Sequence, residues 1–130
     1  MEVLKLESTQ FSPYIHFDPV SHMLEIRGVS RPENTVEFYQ PVLNWLDSYI
    51  ELVNADTSIP AQVRLVIDMD YFNSISAKYL MGIILKCKAL YYGKGGLVVE
   101  WYYKSNDEEN QEWGEDFSAI AGIPFEMHEK

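Results

Sequence analysis

Residues 62–78 read QVRLVIDMDYFNSISAK, and this stretch decides the fold class. From Gln62 to Met69, apolar and β-branched residues form a near-continuous run, which is typical of a buried central strand. After Asp70 to Asn73 the apolar residues recur every three or four positions, so a helix is predicted to begin near Ser74. A buried strand that leads directly into a helix is typical of an α/β sheet with helices packed on it.

Outward from this stretch, apolar periods and turn residues predict the other elements. They are a hairpin of strands over Tyr14–Asp18 and Met23–Val29, a first helix that ends near Asn54, a strand over Leu97–Tyr103, a third helix over about Asp107–Ala121 and a short last strand over Pro124–Met127. The predicted fold is therefore α/β, a single domain over residues 1–130 in which a mixed sheet of four or five strands packs against about three helices.

Local residues predict where the helices begin and end. Asn34 is predicted to cap the first helix and Asn106 the third, because asparagine side chains accept hydrogen bonds from the first helical amides. Pro41 lies inside the first helix, so a kink or a short first segment is expected. The turn-rich residues 54–61 connect this helix to the central strand, and the glycine-rich residues 93–96 end the second helix.

Composition and charge narrow the class of function. The chain has 130 residues and a formal net charge of −10, and residues 105–130 carry eight of the 20 acidic residues with a single basic one. Because binding to phosphate backbones requires lysine and arginine, nucleic acid is not an expected partner. The apolar runs fall short of the roughly 20 residues that span a bilayer, and Met1–Gln10 lacks the apolar core of a secretory signal. A cytoplasmic protein without membrane insertion is expected.

No catalytic or metal-binding residue is predicted. Cys87 is the only cysteine, which excludes an intramolecular disulfide, and its place on a helix favours a small buried side chain. The three histidines, His16, His22 and His128, share no spacing that would place two of them on one helical face. We therefore expect no enzymatic activity, no cofactor and no metal site.

The polar cluster at the start of the second helix is the candidate functional site. The first backbone N–H groups of a helix have no internal acceptors, and the helix dipole favours negative charge there. A phosphorylated serine would be stabilised by these amides and by Lys78, and it would repel Asp68, Asp70 or an acidic partner. The alternative is plain N-capping by one of three side chains, Asn73, Ser74 or Ser76.

Three blocks of sequence resemble one protein family. They are Arg31–Asn34 leading into Glu37–Tyr39 and Trp45–Leu46, then Tyr71–Lys78, and then Val99–Tyr103. With these blocks the chain resembles the SiaC-like bacterial regulatory phosphoproteins, whose fold is similar to that of the anti-sigma-factor antagonists, the STAS domains. In that family the residue after the asparagine of the second block is the phosphate acceptor, commonly threonine in an Asn-Thr-Ser-Ser pattern. The resemblance puts Ser74 at that position, with Ser76 as the alternative acceptor, while Ile75 and Ala77 stand where the family has small polar residues.

The resemblance implies a non-enzymatic partner switch. A serine/threonine kinase phosphorylates such a protein, a metal-dependent serine/threonine phosphatase reverses the reaction, and the unphosphorylated form binds and activates a diguanylate cyclase in c-di-GMP and biofilm signalling. For such a switch we expect a partner surface of Arg31, Pro32, Glu33, Asn34, Tyr71 and Phe72, and an environment of the phosphate that consists of Asp68, Asp70, Asn73 and Lys78. An adaptor that works without phosphorylation, or a partner-binding domain like the anti-sigma-factor antagonists, is the alternative.

Overall fold

Three helices pack on one face of a six-stranded mixed sheet in the computed structural model, which describes residues 1–55, 62–93 and 95–130. In chain order the elements are β1 (Leu4–Leu6), β2 (Tyr14–Asp18), β3 (Met23–Ser30), α1 (Thr35–Ala55), β4 (Val63–Phe72), α2 (Ser74–Tyr91), β5 (Leu97–Tyr103), α3 (Glu108–Ala121) and β6 (Phe125–Glu129). Residues 56–61 of the predicted connector and residue 94 of the predicted helix end lie outside the described residues. Within the described ranges, no helix is both long and apolar enough to cross a membrane.

The strands lie in the sheet in the same order as in the chain. β1, β2 and β3 pair antiparallel, and β3, β4, β5 and β6 pair parallel. One helix joins each parallel pair, and right-handed crossovers between successive neighbours put all three helices on the same face. The carboxyl ends of β3 and β4 therefore meet at one edge of the sheet, where α1 and α2 begin.

The face of the sheet that the helices cover carries the hydrophobic core. Strand side chains such as Phe17, Ile67 and Trp101 are fully buried there, together with Tyr39 and Leu46 of α1. The alternate strand positions point the other way, because successive side chains of a strand face opposite sides. We call this second side the open face, and it includes Glu25, Arg27, Arg64, Asp68, Glu100, Tyr102, Glu126 and His128.

Ion pairs between neighbouring strands occupy much of the open face. The guanidinium of Arg27 on β3 lies 3.0 Å from the carboxylate of Asp68 on β4, and that of Arg64 on β4 lies 3.1 Å from Glu100 on β5. The central strand β4 is thus apolar toward the helices and charged toward the open face.

The predicted α/β fold class is confirmed, with more strands than expected. The sheet has six strands instead of four or five. The unpredicted strand is β1, whose three residues are too few to show an alternating pattern. The predicted last strand over Pro124–Met127 is present as β6 and extends to Glu129.

The predicted helix caps have mixed outcomes. Asn34 caps α1, since its side chain accepts the backbone N–H of Glu37 at 3.0 Å. The prediction of Asn106 as the cap of α3 is wrong, because the carboxylate of Asp107 accepts the backbone N–H of Asn110 at 3.1 Å. Both side chains are good caps, and the turn over residues 104–107 brings Asp107 into that position.

Pro41 does not interrupt α1. The helix continues from Thr35 to Ala55, so the predicted short first segment is wrong. Proline removes the N–H that would bond the carbonyl of Glu37, but Pro41 and Glu37 are both exposed, and water can bond that carbonyl instead.

Gly114 on α3 lies against the buried ring of Trp101, where no side chain fits. A Cβ atom at this position would lie 2.6 Å from Trp101 Cδ1. Gly114→Ala should lower the free energy of unfolding by about 1–2 kcal/mol, because overpacking costs about 1–3 kcal/mol and helix propensity returns up to about 1 kcal/mol. Urea unfolding followed by tryptophan fluorescence measures this change.

Gly82 on α2 provides the matched control. Apart from the backbone of its own helix and its chain neighbours, a Cβ atom there would meet no described atom within 4 Å, so Gly82→Ala should raise the free energy of unfolding by about 0.5–1 kcal/mol. Changes of the same sign in the two variants would contradict the packing of α3 against Trp101.

Candidate functional site

The candidate site lies where β4 ends and α2 begins. The backbone N–H of Asn73 donates to the carbonyl of Ser30 at 3.1 Å, which ties this junction to the end of β3. The side chain of Asn73 accepts the backbone N–H of Ser76 at 2.8 Å and caps α2. Of the three candidate capping side chains, Asn73 fills the role, and Ser74 is the first residue of the helix.

Ser74 and Ser76 occupy different environments in the same helical turn. Ser74 is exposed, whereas Ser76 is fully buried. Residues two positions apart on a helix point about 200° away from each other around its axis, so only one of the two can face the core. The Ser76 hydroxyl also accepts a hydrogen bond from Ser30 Oγ at 2.8 Å. An enzyme can therefore reach the Ser74 hydroxyl without opening the fold, whereas Ser76 would have to leave its buried site.

A buried hydroxyl cluster of Ser30, Tyr39 and Ser76 lies beneath this turn. The Tyr39 hydroxyl is 2.6 Å from Ser30 Oγ, and the Tyr39 ring stacks on Tyr79 of α2 at 5.0 Å between centroids. Burial raises the pKa of Tyr39 to about 12, so its hydroxyl keeps its proton at neutral pH. The cluster joins β3, α1 and α2 directly below the candidate site.

Ser30 and Tyr39 are not among the site residues predicted from the sequence. Ser30 and Ser76 are 46 positions apart in the chain, and no local pattern connects them. The available signal is the place of Ser30 directly after the predicted strand Met23–Val29 and just before the block that begins at Arg31.

An apolar groove between α2 and α3 opens beside Ser74. Its volume is about 470 Å³, and its lining consists of Ser74, Ala77, Lys78, Met81, Gly82, Leu85, Trp113 and Phe117. Ser74 and Lys78 lie one helical turn apart and are its polar members. Tyr71 and Ile75, each 53% exposed, add apolar surface on either side of Ser74 in the sequence.

The two aspartates of the predicted environment have different contacts. Asp68 is on the open face, where its carboxylate lies 3.0 Å from Arg27 and 2.6 Å from Lys130. Asp70 is exposed and lines a small cavity beside Asp107, with Lys104 at 3.8 Å. The charge of Asp68 is therefore balanced by two cations, and Asp70 is the aspartate that remains near the start of α2.

The predicted partner loop, Arg31 to Asn34, lies next to the candidate site. The backbone hydrogen bond from Asn73 to Ser30, the residue before this loop, holds the two together. The guanidinium of Arg31 lies over the Phe11 ring at 5.3 Å from its centroid. These two residues line a shallow cavity of about 610 Å³ together with Ser12, Pro32, Glu33 and Phe38. Phe11, Ser12 and Phe38 are members of this surface that sequence analysis does not predict.

Tyr71 and Phe72, the other predicted partner residues, face different ways. Tyr71 is half exposed. Phe72 packs edge-on against Trp101 at 6.1 Å and Trp113 at 5.5 Å between centroids, and it lies 6.3 Å from Phe117. Tyr71 is thus accessible to a partner, while Phe72 supports the wall of the groove.

Comparison with known proteins identifies the family. The family model described as SiaC family regulatory phosphoprotein matches residues 6–130. The chain belongs to the SiaC family. An uncharacterised protein of Pseudomonas aeruginosa strain UCBPP-PA14 is 27% identical over 125 residues, which are 96% of this chain and 94% of that protein. The resemblance deduced from the three sequence blocks is thereby confirmed.

Solved structures of a SiaC protein share this fold. Apo-SiaC from Pseudomonas aeruginosa superposes with a TM-score of 0.82 at 24% identity, covering 98% of this chain and 99% of that chain. A crystal structure of the diguanylate cyclase SiaD in complex with its activator SiaC, from the same organism, gives a TM-score of 0.84 at 24% identity, with the same coverage. The arrangement of three helices on a mixed sheet is therefore the fold of a SiaC family protein.

Cys87 and one group of metal-ligating side chains lie outside the candidate site. Cys87 is buried, and burial raises the pKa of its thiol to about 12, so the thiol is not a nucleophile at neutral pH. In the part of the chain that the structure describes, one group of three metal-ligating side chains occurs, Glu100, Glu126 and His128 on the open face. This group is not predicted from the sequence, because its residues share no helical spacing and two parallel strands, β5 and β6, bring them together.

The assignment of the cap predicts different effects for two neighbouring substitutions. Asn73→Ala should lower the free energy of unfolding by about 1 kcal/mol, because the first turn of α2 loses its capping oxygen. Ser74→Ala should change this free energy by less than about 0.5 kcal/mol, as is usual for exposed positions. Urea unfolding of both variants measures the difference, and a larger loss for Ser74→Ala would show that Ser74 contributes to the cap.

The buried hydroxyl cluster predicts a loss of stability in alkaline solution. The pKa of Tyr39 is about 12 in the folded chain and about 10 when unfolded, so the folded state retains the proton longer. The contribution of this retained proton to the free energy of unfolding is therefore complete below pH 10 and is lost as the pH rises toward 12. The Tyr39→Phe variant has no ionisable hydroxyl at this position. In unfolding experiments, its free energy of unfolding should therefore fall less steeply between pH 9 and 11.5 than that of the unaltered chain. Parallel curves for the two proteins would contradict the burial of this hydroxyl.

Proposed function

We propose that this chain is a non-enzymatic switch protein that is phosphorylated reversibly on Ser74, and that its unphosphorylated form binds and regulates a diguanylate cyclase. The observation that carries the proposal is the position of Ser74. It is exposed at the first position of α2 and lines an apolar groove, while Asn73 supplies the cap. The Ser74 hydroxyl is therefore accessible for modification at little cost to the fold.

The electrostatics of the first helical turn favour a phosphate at this position. Phosphorylation adds a charge of about −1.5 to −2 and three acceptor oxygens. The first amides of α2 and the helix dipole stabilise negative charge here, and exposed Lys78 is one turn further along the same side. The phosphorylated chain is therefore expected to keep its fold, so that the modification acts on binding.

The docking surface that we propose contains the groove, Tyr71 and the loop from Arg31 to Asn34. The hydrogen bond between Asn73 and Ser30 holds these parts side by side. Exposed apolar side chains next to an apolar groove are typical of surfaces that bind other proteins. A phosphate at Ser74 would lie inside such a contact, where a charge without a partner costs several kcal/mol.

The class of partner rests on the family. SiaC proteins are regulatory phosphoproteins, and SiaC of Pseudomonas aeruginosa forms a complex with the diguanylate cyclase SiaD. For this chain we propose a cyclase of that class as effector, a serine/threonine kinase that adds the phosphate and a metal-dependent phosphatase that removes it. The setting that fits these partners is cytoplasmic c-di-GMP signalling in biofilm formation.

The phosphorylation site can be located in protein purified from its own host. Intact-mass spectrometry should find a fraction of the chain that is heavier by one phosphoryl group, and peptide mapping should place that group on Ser74. The Ser74→Ala variant should lack this fraction, whereas Ser76→Ala should retain it wherever the variant folds. A phosphate on Ser76 would contradict the proposed switch at Ser74. If no phosphate is found under varied growth conditions, the switch is also contradicted, and an adaptor that works without phosphorylation is favoured.

The effect on binding can be measured by calorimetry with the candidate cyclase. Chains that carry phosphoserine at position 74 should bind at least about tenfold more weakly than the unmodified chain, because the charge must be desolvated on docking. Phosphoserine at the exposed position 48 of α1 adds the same charge elsewhere and should leave the affinity close to that of the unmodified chain. Equal affinities for all three forms would overturn the switch mechanism.

The exposed apolar surface beside Ser74 can be tested with a matched pair of substitutions. Ile75→Arg places a charge beside Ser74 and should weaken binding to the cyclase, whereas Leu52→Arg alters a similarly exposed apolar residue of α1 and should not. Both side chains are about half exposed, so neither substitution should unfold the chain. If Leu52→Arg weakens binding as much as Ile75→Arg, the docking surface lies elsewhere.

A further inference from the structure

We propose that Glu100, Glu126 and His128 bind one first-row transition-metal ion, such as zinc, on the open face of the sheet. The proposal is independent of the switch at Ser74, because the two places lie on different faces of the fold. Glu100 is on β5, and Glu126 is its direct neighbour on β6. His128 is two residues further along β6, so its side chain returns to the same face.

The three ligand atoms already lie close together. One nitrogen of His128 and one carboxylate oxygen from each glutamate are within 4.8 Å of one another. Nε2 of His128 is 3.2 Å from Glu100 Oε1 and 3.4 Å from Glu126 Oε1. Two ligands on zinc bonds of about 2.0–2.1 Å at tetrahedral angles are separated by about 3.3 Å. These distances therefore match two edges of a zinc coordination tetrahedron.

The hydrogen bonding of the imidazole nitrogen provides a second observation. The His128 side chain is 36% exposed, but its Nε2 atom is buried and has no hydrogen-bond partner among the described residues, although carboxylate oxygens of Glu100 and Glu126 lie 3.2 and 3.4 Å away. Its ring geometry is therefore not aligned with either oxygen for a hydrogen bond. Buried polar atoms in folded proteins are normally bonded, and an unbonded one calls for an explanation. A cation held between the imidazole and the carboxylates would supply the missing partner.

Neighbouring side chains hold two of the ligands in place. The Tyr102 ring stacks on the His128 ring at 4.8 Å between centroids and 25° between planes. The guanidinium of Arg64 lies 3.1 Å from Glu100 Oε2, which leaves Oε1 directed at His128. The Glu100 side chain is only 12% exposed. Such outer contacts orient metal ligands in known sites and affect affinity strongly.

The donor set selects the class of metal. Imidazole nitrogen suits zinc, cobalt and related ions, whereas magnesium and calcium prefer oxygen ligands alone. Three protein ligands would leave one tetrahedral position for water. The ion would join the edge strand β6 to β5, so metal binding should also stabilise the chain.

The test uses the full chain without a histidine tag, freed of metal by a chelator. Equilibrium dialysis against zinc chloride with excess magnesium, followed by elemental analysis, should give one zinc ion per chain. Cobalt should give a visible absorption band of tetrahedral intensity, and zinc should raise the melting temperature. Less than stoichiometric zinc, or displacement of zinc by magnesium, would overturn the proposal.

Substitutions connect the binding to these residues. Glu126→Gln and His128→Gln should each weaken zinc binding at least about tenfold. Glu129→Gln on the same strand makes the same change of charge as Glu126→Gln and should bind zinc like the unaltered chain. Glu126 is half exposed, so its variant is expected to fold and carries the test even if His128→Gln does not. Equal zinc binding by Glu126→Gln and the unaltered chain would show adventitious binding to other acidic side chains.

Discussion

The parallel pairing of β3 with β4 is the constraint on which the rest of the structure depends. It places the carboxyl ends of both strands at one edge, where the bond from Asn73 to Ser30 joins the start of α2 to the loop before α1. Because β5 and β6 each add to the sheet beyond β4 through a right-handed crossover, the three described helices share one face. The candidate site and the open face are two consequences of this topology. The candidate site lies at the edge where the helices begin, and the open face is the side of the sheet that none of the described helices covers.

Features that depend on a few neighbouring residues can be predicted from the sequence. Features that depend on which face of the sheet the helices cover cannot. The step from β4 to α2, the hairpin and the cap at Asn34 each follow from a few adjacent residues. By contrast, the alternation of side chains along β4 predicts that Asp68 points away from the apolar residues. Only tertiary packing determines that helices leave this face uncovered and that Asp68 pairs with Arg27 and Lys130 there. The same limit explains the buried hydroxyl cluster and the group around His128, whose members come from strands and helices far apart in the chain.

Asn73, Ser74 and Ser76 illustrate why a polar cluster at a helix start is ambiguous. Each of the three is a good capping residue, so local propensity does not rank them. Tertiary packing distributes the roles, because the core lies on one side of α2. Ser76 turns inward to Ser30, Asn73 stands just before the first turn and caps it, and Ser74 is left exposed. The same buried contact that removes Ser76 from solvent therefore leaves Ser74 as the accessible hydroxyl.

The magnitude of the added charge indicates how a phosphate at Ser74 would act. The chain already carries a net charge of −10, and one phosphate changes this to about −12, a small change in the long-range field. The acidic helix α3 also forms one wall of the groove, so an effector that docks there must already tolerate nearby negative charge. Surface charges are screened beyond about 8–10 Å at ordinary ionic strength. The dominant effect of the phosphate must therefore be the local cost of desolvating it within the contact, which persists when salt weakens the long-range repulsion.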